Sequence, residues 1–333
     1  MDNIDKIKES IEKVTNDDIF KIEKIGAGQN NSIFKIIGRK NTYALKKYSN
    51  TQMNNRKNRE IFAINLFKEL NIENVPKALH DFKGESLVLY TWIEGKTKTS
   101  FTHNTLKKFS DFHININSKI TEAKLKEIPE ASETCLSIDR IRSQIDKRIS
   151  EYKEIYSQEP DLKSYLEKDL IPLYEKNIKS IDISLYKKDL DLKDQAAIVS
   201  DFGLHNALID DSENVNFIDF EYFGRDDPVT CIANFILHPG MNLLKDEADF
   251  FIKNILYFHK RKDKSIVERY KDLLPFYSIR WALIILNEFI PEKWKHRKNS
   301  GAYLGQDYNI IKKNQLIKAK KLTRFTLPSF IKL

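Results

Sequence analysis

The sequence predicts an α+β protein of two lobes: a small sheet-rich lobe of about 75 residues, then a larger, mainly helical lobe carrying one β-hairpin. Three observations predict it. Short alternating apolar runs fill the stretch from Ile19 to Glu94. Apolar residues recur at helical spacing after Gly95. One β-like island, Ala196–Gly224, interrupts the helices.

The elements follow in order. Ile4, Ile7, Ile11 and Val14 share one helical face, and Asn16-Asp17-Asp18 ends it. IFKIEKIG, SIFKIIG, TYALKKY and SLVLYTWI read as strands, because they alternate and are rich in β-branched residues. Between the last two, REIFAINLFKEL reads as a helix, closed by Asn74-Val75-Pro76. Tyr90–Gly95 is the expected hinge. The boundaries are therefore 1–94 for the first lobe with its leading helix and 95–333 for the helical lobe. Ile138, Ile141, Ile145, Ile149 and Tyr152 mark one helix. Leu162, Tyr165, Leu166, Leu170 and Leu173 mark another, which Pro172 should kink or restart. In the island, Asp210–Asn214 is a turn between two apolar runs. The segment after Pro228 is helical again.

Composition narrows the function classes. In 333 residues, 41% hydrophobic content is too high for wholesale disorder, and no run of eighteen apolar residues exists to form a spanning helix. Charges occupy MDNIDKIKES where a secretory leader needs an apolar run, so a cytoplasmic location is expected, without membrane insertion. Cys135 and Cys231 make neither a disulfide framework nor a CxxC metal site. The net charge of +8 raises a nucleic-acid reading. The lysines, however, lie scattered beside acids, as in KIKESIEK, and no nucleic-acid partner is expected. No HExxH and no GxSxG is present, which removes zinc hydrolases and acyl-transfer serines of those types.

Four features carry chemistry. Gly26-Ala27-Gly28 with Gln29-Asn30-Asn31 lies between two strands, where glycines let backbone N–H groups approach a phosphate; two glycines in a hairpin turn are also ordinary. Lys46 ends the Ala44-Leu45-Lys46 triplet and Glu60 opens the next helix, a pairing that suits nucleotide phosphates. Alternation puts Lys46 and Lys47 on opposite faces, so only one points inward. Asp201 and Asn206 form a Dx₄N spacing after a buried-looking run. The carboxylate can orient a hydroxyl while the amide oxygen binds Mg²⁺. Asp219, thirteen residues beyond Asn206 in an apolar strand, can bind the same metal.

With these residues in this order, the chain resembles the aminoglycoside phosphotransferase and choline kinase superfamily, from about Ile19 to His238. The resemblance implies a protein-kinase-like fold with a small antiparallel-sheet N-lobe and a larger helical C-lobe. It implies Asp201 as the catalytic residue, Asn206 and Asp219 as Mg²⁺ ligands, and Lys46 on the phosphates beside Glu60. Gly26, Gly28 and Asn31 would belong to the phosphate loop, and Tyr90 and Trp92 to the adenine-binding hinge. The implied activity is transfer of the γ-phosphoryl of ATP or GTP to a hydroxyl of a small molecule: a sugar-like compound, an amino alcohol or an aminoglycoside. A nucleotide-binding module without transfer activity is the alternative. The oligomeric state is not legible. The stretch DFEYFGRDDP with ILHP looks like a bacterial subgroup that accompanies surface-carbohydrate synthesis.

Two departures stand out. The family usually has His-Gly or His-Asn before the catalytic Asp, where this chain has Val199-Ser200. It often has a loop-supporting Asp where Cys231 stands. His205 either packs within the loop or reaches a phosphate or acceptor. Asp226 and Asp227 either cap the helix at Pro228 or, with Glu221 and Tyr222, line an acceptor pocket. Trp281 reads as core or as a substrate platform.

Overall fold

The structure is a computed structural model and describes residues 2–27, 31–48, 53–299 and 305–324. The chain divides into two compact units, each discontinuous in sequence. The first comprises Met1–Lys96, Leu208–Glu221 and Lys295–Leu304, and the second the rest.

The first unit opens with helix α1 (Asp2–Thr15), which Asn16 ends at a positive φ of 49°. Five strands follow: β1 (Ile19–Ala27), β2 (Ser32–Gly38), β3 (Thr42–Lys47), β4 (Ala78–Phe82) and β5 (Leu87–Thr91). They form one antiparallel sheet of order β1-β2-β3-β5-β4. Helix α2 (Met53–Glu69) joins β3 to β4. Period-two alternation gives the sheet two apolar faces. Tyr43, Leu45, Leu87 and Leu89 lie on one, clustered with Ile11, Ile19 and Ile36. Lys46 and Val88 are register partners on the other. Asp17 sets the β2–β3 corner by accepting the Lys40 and Asn41 N–H groups and the Tyr43 hydroxyl. Burial works against the Asp17 carboxylate, but these bonds hold its pKa below the ordinary value.

Residues 208–221 belong to this unit and carry most of a two-stranded hairpin, set among the strands β6 to β9 that follow in chain order. Strand β6 (Ala196–Ile198) precedes it, β7 (Ala207–Ile209) and β8 (Val215–Phe217) form it, and β9 (Gly224–Asp226) follows. Asp210 builds the turn by accepting the N–H groups of Ser212 and Asn214. Lys96 and Ile209 exchange backbone hydrogen bonds at 3.0 and 2.9 Å, and Phe217 N–H donates to the Asn74 carbonyl at 2.9 Å. Gly95 is needed for the first contact: its φ is +140°, and a Cβ there would press on the backbone of Leu208 and Ile209. Phe220 packs edge-on against Phe67 of α2 at 4.9 Å. The hairpin segment is thereby tied to α2 and to the chain that follows β5.

The second unit is helical. Its helices are α3 (His103–Lys119), α4 (Glu122–Glu127), α5 (Ile138–Lys153), α6 (Pro160–Tyr165), α7 (Ile171–Ser180), α8 (Pro228–Leu237), α9 (Lys245–His259), α10 (Ile266–Ile285) and α12 (Tyr308–Thr323), with α11 (Pro291–Asn299) running across the unit boundary. The expected disturbance at Pro172 takes a specific form. Leu166–Leu170 widen into a π-helical turn and Pro172 follows within the first turn of α7, so the helix runs on past the proline rather than breaking there. Strand β6 pairs with β9, and Asn117 of α3 holds Ala197 at both its N–H and its carbonyl, each at 2.9 Å. Phe202 is buried against Phe109, Phe112 and Phe235, so the residue after Asp201 is anchored in an aromatic cluster.

Candidate active site

In the first unit, alternation along β3 leaves Lys47 exposed and buries Lys46, with 5% of its surface exposed. The Lys46 ammonium donates to Glu60 Oε2 at 2.6 Å and to Asp219 Oδ1 at 2.8 Å. The Tyr48 hydroxyl donates to Glu60 Oε2 at 2.6 Å and lies 2.7 Å from the Tyr90 hydroxyl. Burial alone would lower the pKa of Lys46; Asp219, Glu60 and Glu221 outweigh it and raise it well above the ordinary value. Asp219 adopts a left-handed φ of +64°, a conformation that aspartate tolerates better than most residues and that turns its carboxylate toward Lys46.

Glu221 extends this cluster. It accepts from Asn31 Nδ2 at 2.6 Å and from Arg56 at 3.2 Å. Burial, followed by the charge of Asp219, pushes its pKa up to about 7, against the pull of Lys46 and Arg56. Asn31 Oδ1 is buried without a hydrogen-bond partner among the described residues. Among the described residues, Glu60, Asp219 and Glu221 thus gather around Lys46 and Arg56, and burial drives the pKa of both glutamates up.

The remaining predicted residues of this unit are placed as follows. Gly26 sits at a register shift between β1 and β2. Gly28 lies outside the described residues. Tyr90 is in β5 with its side chain buried against Tyr48. Trp92 donates to Glu94 at 2.6 Å, and the Lys35 ammonium lies over its ring at 4.4 Å.

In the second unit, Asp201 lies three residues past the end of β6. Its side chain is 37% exposed, which leaves it open to a reactant, while Phe202 is buried beneath it. Asn206 Nδ2 donates to the Asp201 carbonyl at 2.9 Å, so the amide oxygen is the acceptor end not used in this bond. Asp201 Oδ1 accepts from His205 Nε2 at 2.9 Å. Burial opposes ionisation of Asp201; the His205 hydrogen bond, helped by His238 and Asn206, nevertheless lowers its pKa. The His205 ring stacks on His238 at 4.5 Å and 15°, and burial pushes the pKa of His238 down to about 4.

No protein-family model matches the chain, and no curated protein matches it in sequence. Among solved structures it is similar to a spectinomycin phosphotransferase in complex with ADP and spectinomycin. The TM-score is 0.59 at 15% identity, over 96% of this chain and 98% of that one. It is similar to choline kinase LicA from Streptococcus pneumoniae, with TM-score 0.58 at 17% identity, over 97% and 99%. It is also similar to macrolide 2′-phosphotransferase type I, with TM-score 0.56 at 12% identity, over 91% and 97%. The chain has the fold of these small-molecule phosphotransferases. Its five-stranded antiparallel sheet and helical remainder are the two-part, kinase-like architecture expected from the resemblance.

Asn206, in the second unit, has an amide oxygen, and Asp219, in the first, keeps one carboxylate oxygen beyond the one bonded to Lys46; each by itself is a hard oxygen atom of the kind Mg²⁺ takes. One grouping, Asp201 with His205 and His238, places its ligand atoms within 4.8 Å of one another. It does not suit an ion as arranged, because the two imidazoles are stacked nearly parallel and an ion in the plane of one lies out of the plane of the other.

Three readings resolve in the structure. Asp227 caps α8, accepting the Val229 N–H at 2.9 Å, and pairs with Arg269 through both oxygens at 2.6 and 3.0 Å. Asp226 accepts the N–H groups of Cys135 and Asp227. Each of the two acids is 1% exposed, so neither lines an open acceptor pocket. Trp281 is half-buried rather than core. Sequence reasoning missed Arg56, Tyr48, Asn234 and His238, whose partners lie too far along the chain to leave a spacing signal.

Proposed function

We propose that the protein is an ATP- or GTP-dependent kinase that phosphorylates a hydroxyl group of a small molecule. The observation that carries this reading is the Lys46–Glu60 pair with Asp219 on the same ammonium. It stands in a chain that has the fold of small-molecule phosphotransferases and also holds Asp201 and Asn206 in the Dx₄N spacing. Lys46 would bind nucleotide phosphates, with Glu60 and Tyr48 fixing its position. Asn206 and Asp219 would hold Mg²⁺, which when bound neutralises phosphate charge. Gly26, Gly28 and Asn31 are assigned to the phosphate loop, and the backbone near Tyr90 and Trp92 to the base.

Asp201 then orients the acceptor hydroxyl through the carboxylate oxygen that His205 does not use. As the new O–P bond forms and the bond from the γ-phosphorus to the bridging oxygen breaks, the hydroxyl proton passes to Asp201 and the nucleoside diphosphate leaves. A carboxylate of lowered pKa is a weak base, so it takes the proton late, and positioning supplies most of its effect. The reading places the protein in the cytoplasm, where its nucleotide is available. No helix among the described residues is long and apolar enough to cross a membrane.

The test is ATP and GTP consumption by purified protein with Mg²⁺ across sugars, amino alcohols and aminoglycosides. Asp201→Asn should lower turnover by about 10²–10⁴-fold while nucleotide affinity stays the same. Nucleotide binding without transfer to any acceptor would favour the binding-module reading. Undiminished turnover in Asp201→Asn would remove Asp201 from the mechanism.

A further inference from the structure

Two routes lead from one indole to the candidate catalytic residue. The first runs through the backbone. The Trp281 Nε1–H donates to Asn234 Oδ1 at 3.1 Å, and Asn234 Nδ2 donates to the Ser200 carbonyl at 3.1 Å. An indole N–H is a donor only, so it fixes which end of the Asn234 amide is oxygen and turns the NH₂ end onto the peptide that immediately precedes Asp201. Asn234 is buried, and Ser200 is further tied through its hydroxyl to the Tyr222 carbonyl at 3.2 Å.

The second route runs through side chains. Trp281 meets the His238 ring edge-on at 5.2 Å and 84°. His238 stacks on His205, and His205 Nε2 bonds Asp201 Oδ1. Gly203 keeps this stack in place: a Cβ there would come within 2.8 Å of both His205 Nδ1 and Met241 Sδ. One indole serves both routes because Asn234 lies in α8 and His238 is its C-cap, four positions on and therefore on the same face.

We infer that Trp281 is a positioning residue for phosphoryl transfer, setting the Asp201 backbone through Asn234 and the Asp201 carboxylate through His238 and His205. The inference rests on the phosphotransfer reading, and two separate measurements test them apart.

The first is phosphate release from MgATP, with water standing in for the acceptor, alongside MgATP affinity by calorimetry. Trp281→Phe keeps a ring on His238 but removes the N–H, and should slow release about tenfold. Asn234→Asp keeps the acceptor for Trp281 but turns an oxygen onto the Ser200 carbonyl, and should slow it on the order of 10²-fold. MgATP affinity should be unchanged in both. The double variant should be no slower than Asn234→Asp alone, since both changes cut one route. Unchanged release, a parallel loss of affinity, or multiplied effects in the double variant would overturn the inference.

The second measurement is the ¹H–¹⁵N spectrum of histidine-labelled protein, which needs no turnover. His205 should show a protonated, hydrogen-bonded Nε2 in the wild type and in Trp281→Phe, and should lose that signature in Trp281→Ala. If the wild type shows no Asp201-dependent phosphate transfer either to water or to any acceptor of the panel, the phosphotransfer reading fails and the spectra alone decide the arrangement. An unaltered His205 signature in a folded Trp281→Ala protein would overturn it.

Discussion

At the scale of single residues, Lys46 shows how one ammonium organises a cluster. Buried among Glu60, Asp219 and Glu221, it is kept charged by its neighbours, and they depend on it in turn. Lys46→Met should therefore cost more than nucleotide affinity. Removing one partner of a buried ion pair leaves the others uncompensated, typically by about 3–5 kcal/mol, and the urea midpoint should fall accordingly. Asp219→Ala should act differently. It puts alanine at a left-handed φ that aspartate tolerates better, so a stability loss of about 1 kcal/mol is expected, while Mg²⁺-dependent nucleotide binding weakens. Calorimetry with and without Mg²⁺ separates the two; binding that stays equally Mg²⁺-dependent in Asp219→Ala would remove it from the metal site.

At the scale of elements, helix α8 carries the start of the helical segment after the hairpin, and its first residues are legible in sequence as Asp227-Pro228. The cap itself is local: a side-chain oxygen two residues before the Val229 N–H, with proline where no N–H is needed. Its energetic context is not local, because Arg269 comes from α10, forty-two residues on, and also pairs with Asp263 at 2.6 Å. Asp227→Asn should leave the cap acceptor in place yet break the bidentate pair. A loss of about 3–5 kcal/mol in urea unfolding is expected, against about 1 kcal/mol for a cap alone. A loss near the smaller figure would show that the pair is replaceable. The β3 strand gives the matching lesson. Alternation is enough to distinguish Lys46 from Lys47, but nothing in the strand announces Asp219, 173 residues away.

At the scale of the whole molecule, buried ionisable groups predict a concealed pH dependence. Burial pushes the pKa of His113 down to about 4, and His259, 2.8 Å from it, is lowered by burial too. Between about pH 4 and 6.5 the unfolded chain binds more protons at His113 than the folded one, so this contribution to stability falls as pH falls, by roughly 3 kcal/mol. Asp226 works in the opposite sense. Burial raises its pKa to about 7, so the folded state holds a proton that the unfolded chain releases above about 4, and its contribution falls as pH rises, by roughly 4 kcal/mol. The two largely cancel between pH 4 and 6.5. Asp226→Asn should therefore unmask a stability that climbs with pH over that window in urea titrations. A flat profile in that variant would mean that His113 titrates normally.

The sequence by itself determined what depends on near neighbours. Strand alternation, the turn at Asp210–Asn214, the Asp227-Pro228 cap and the Dx₄N spacing all rest on bonds or faces within a few residues, and such geometry is written in spacing. Tertiary structure alone decided which buried groups meet. It put Asp219 on Lys46, tied Glu221 to Asn31 and Arg56, removed Asp226 and Asp227 from solvent, and set Trp281 behind Asp201 through Asn234 and His238. Those contacts join positions tens to nearly two hundred residues apart. Which distant polar groups satisfy one another is fixed by how apolar faces pack and bring them together, and that packing has no period along the chain.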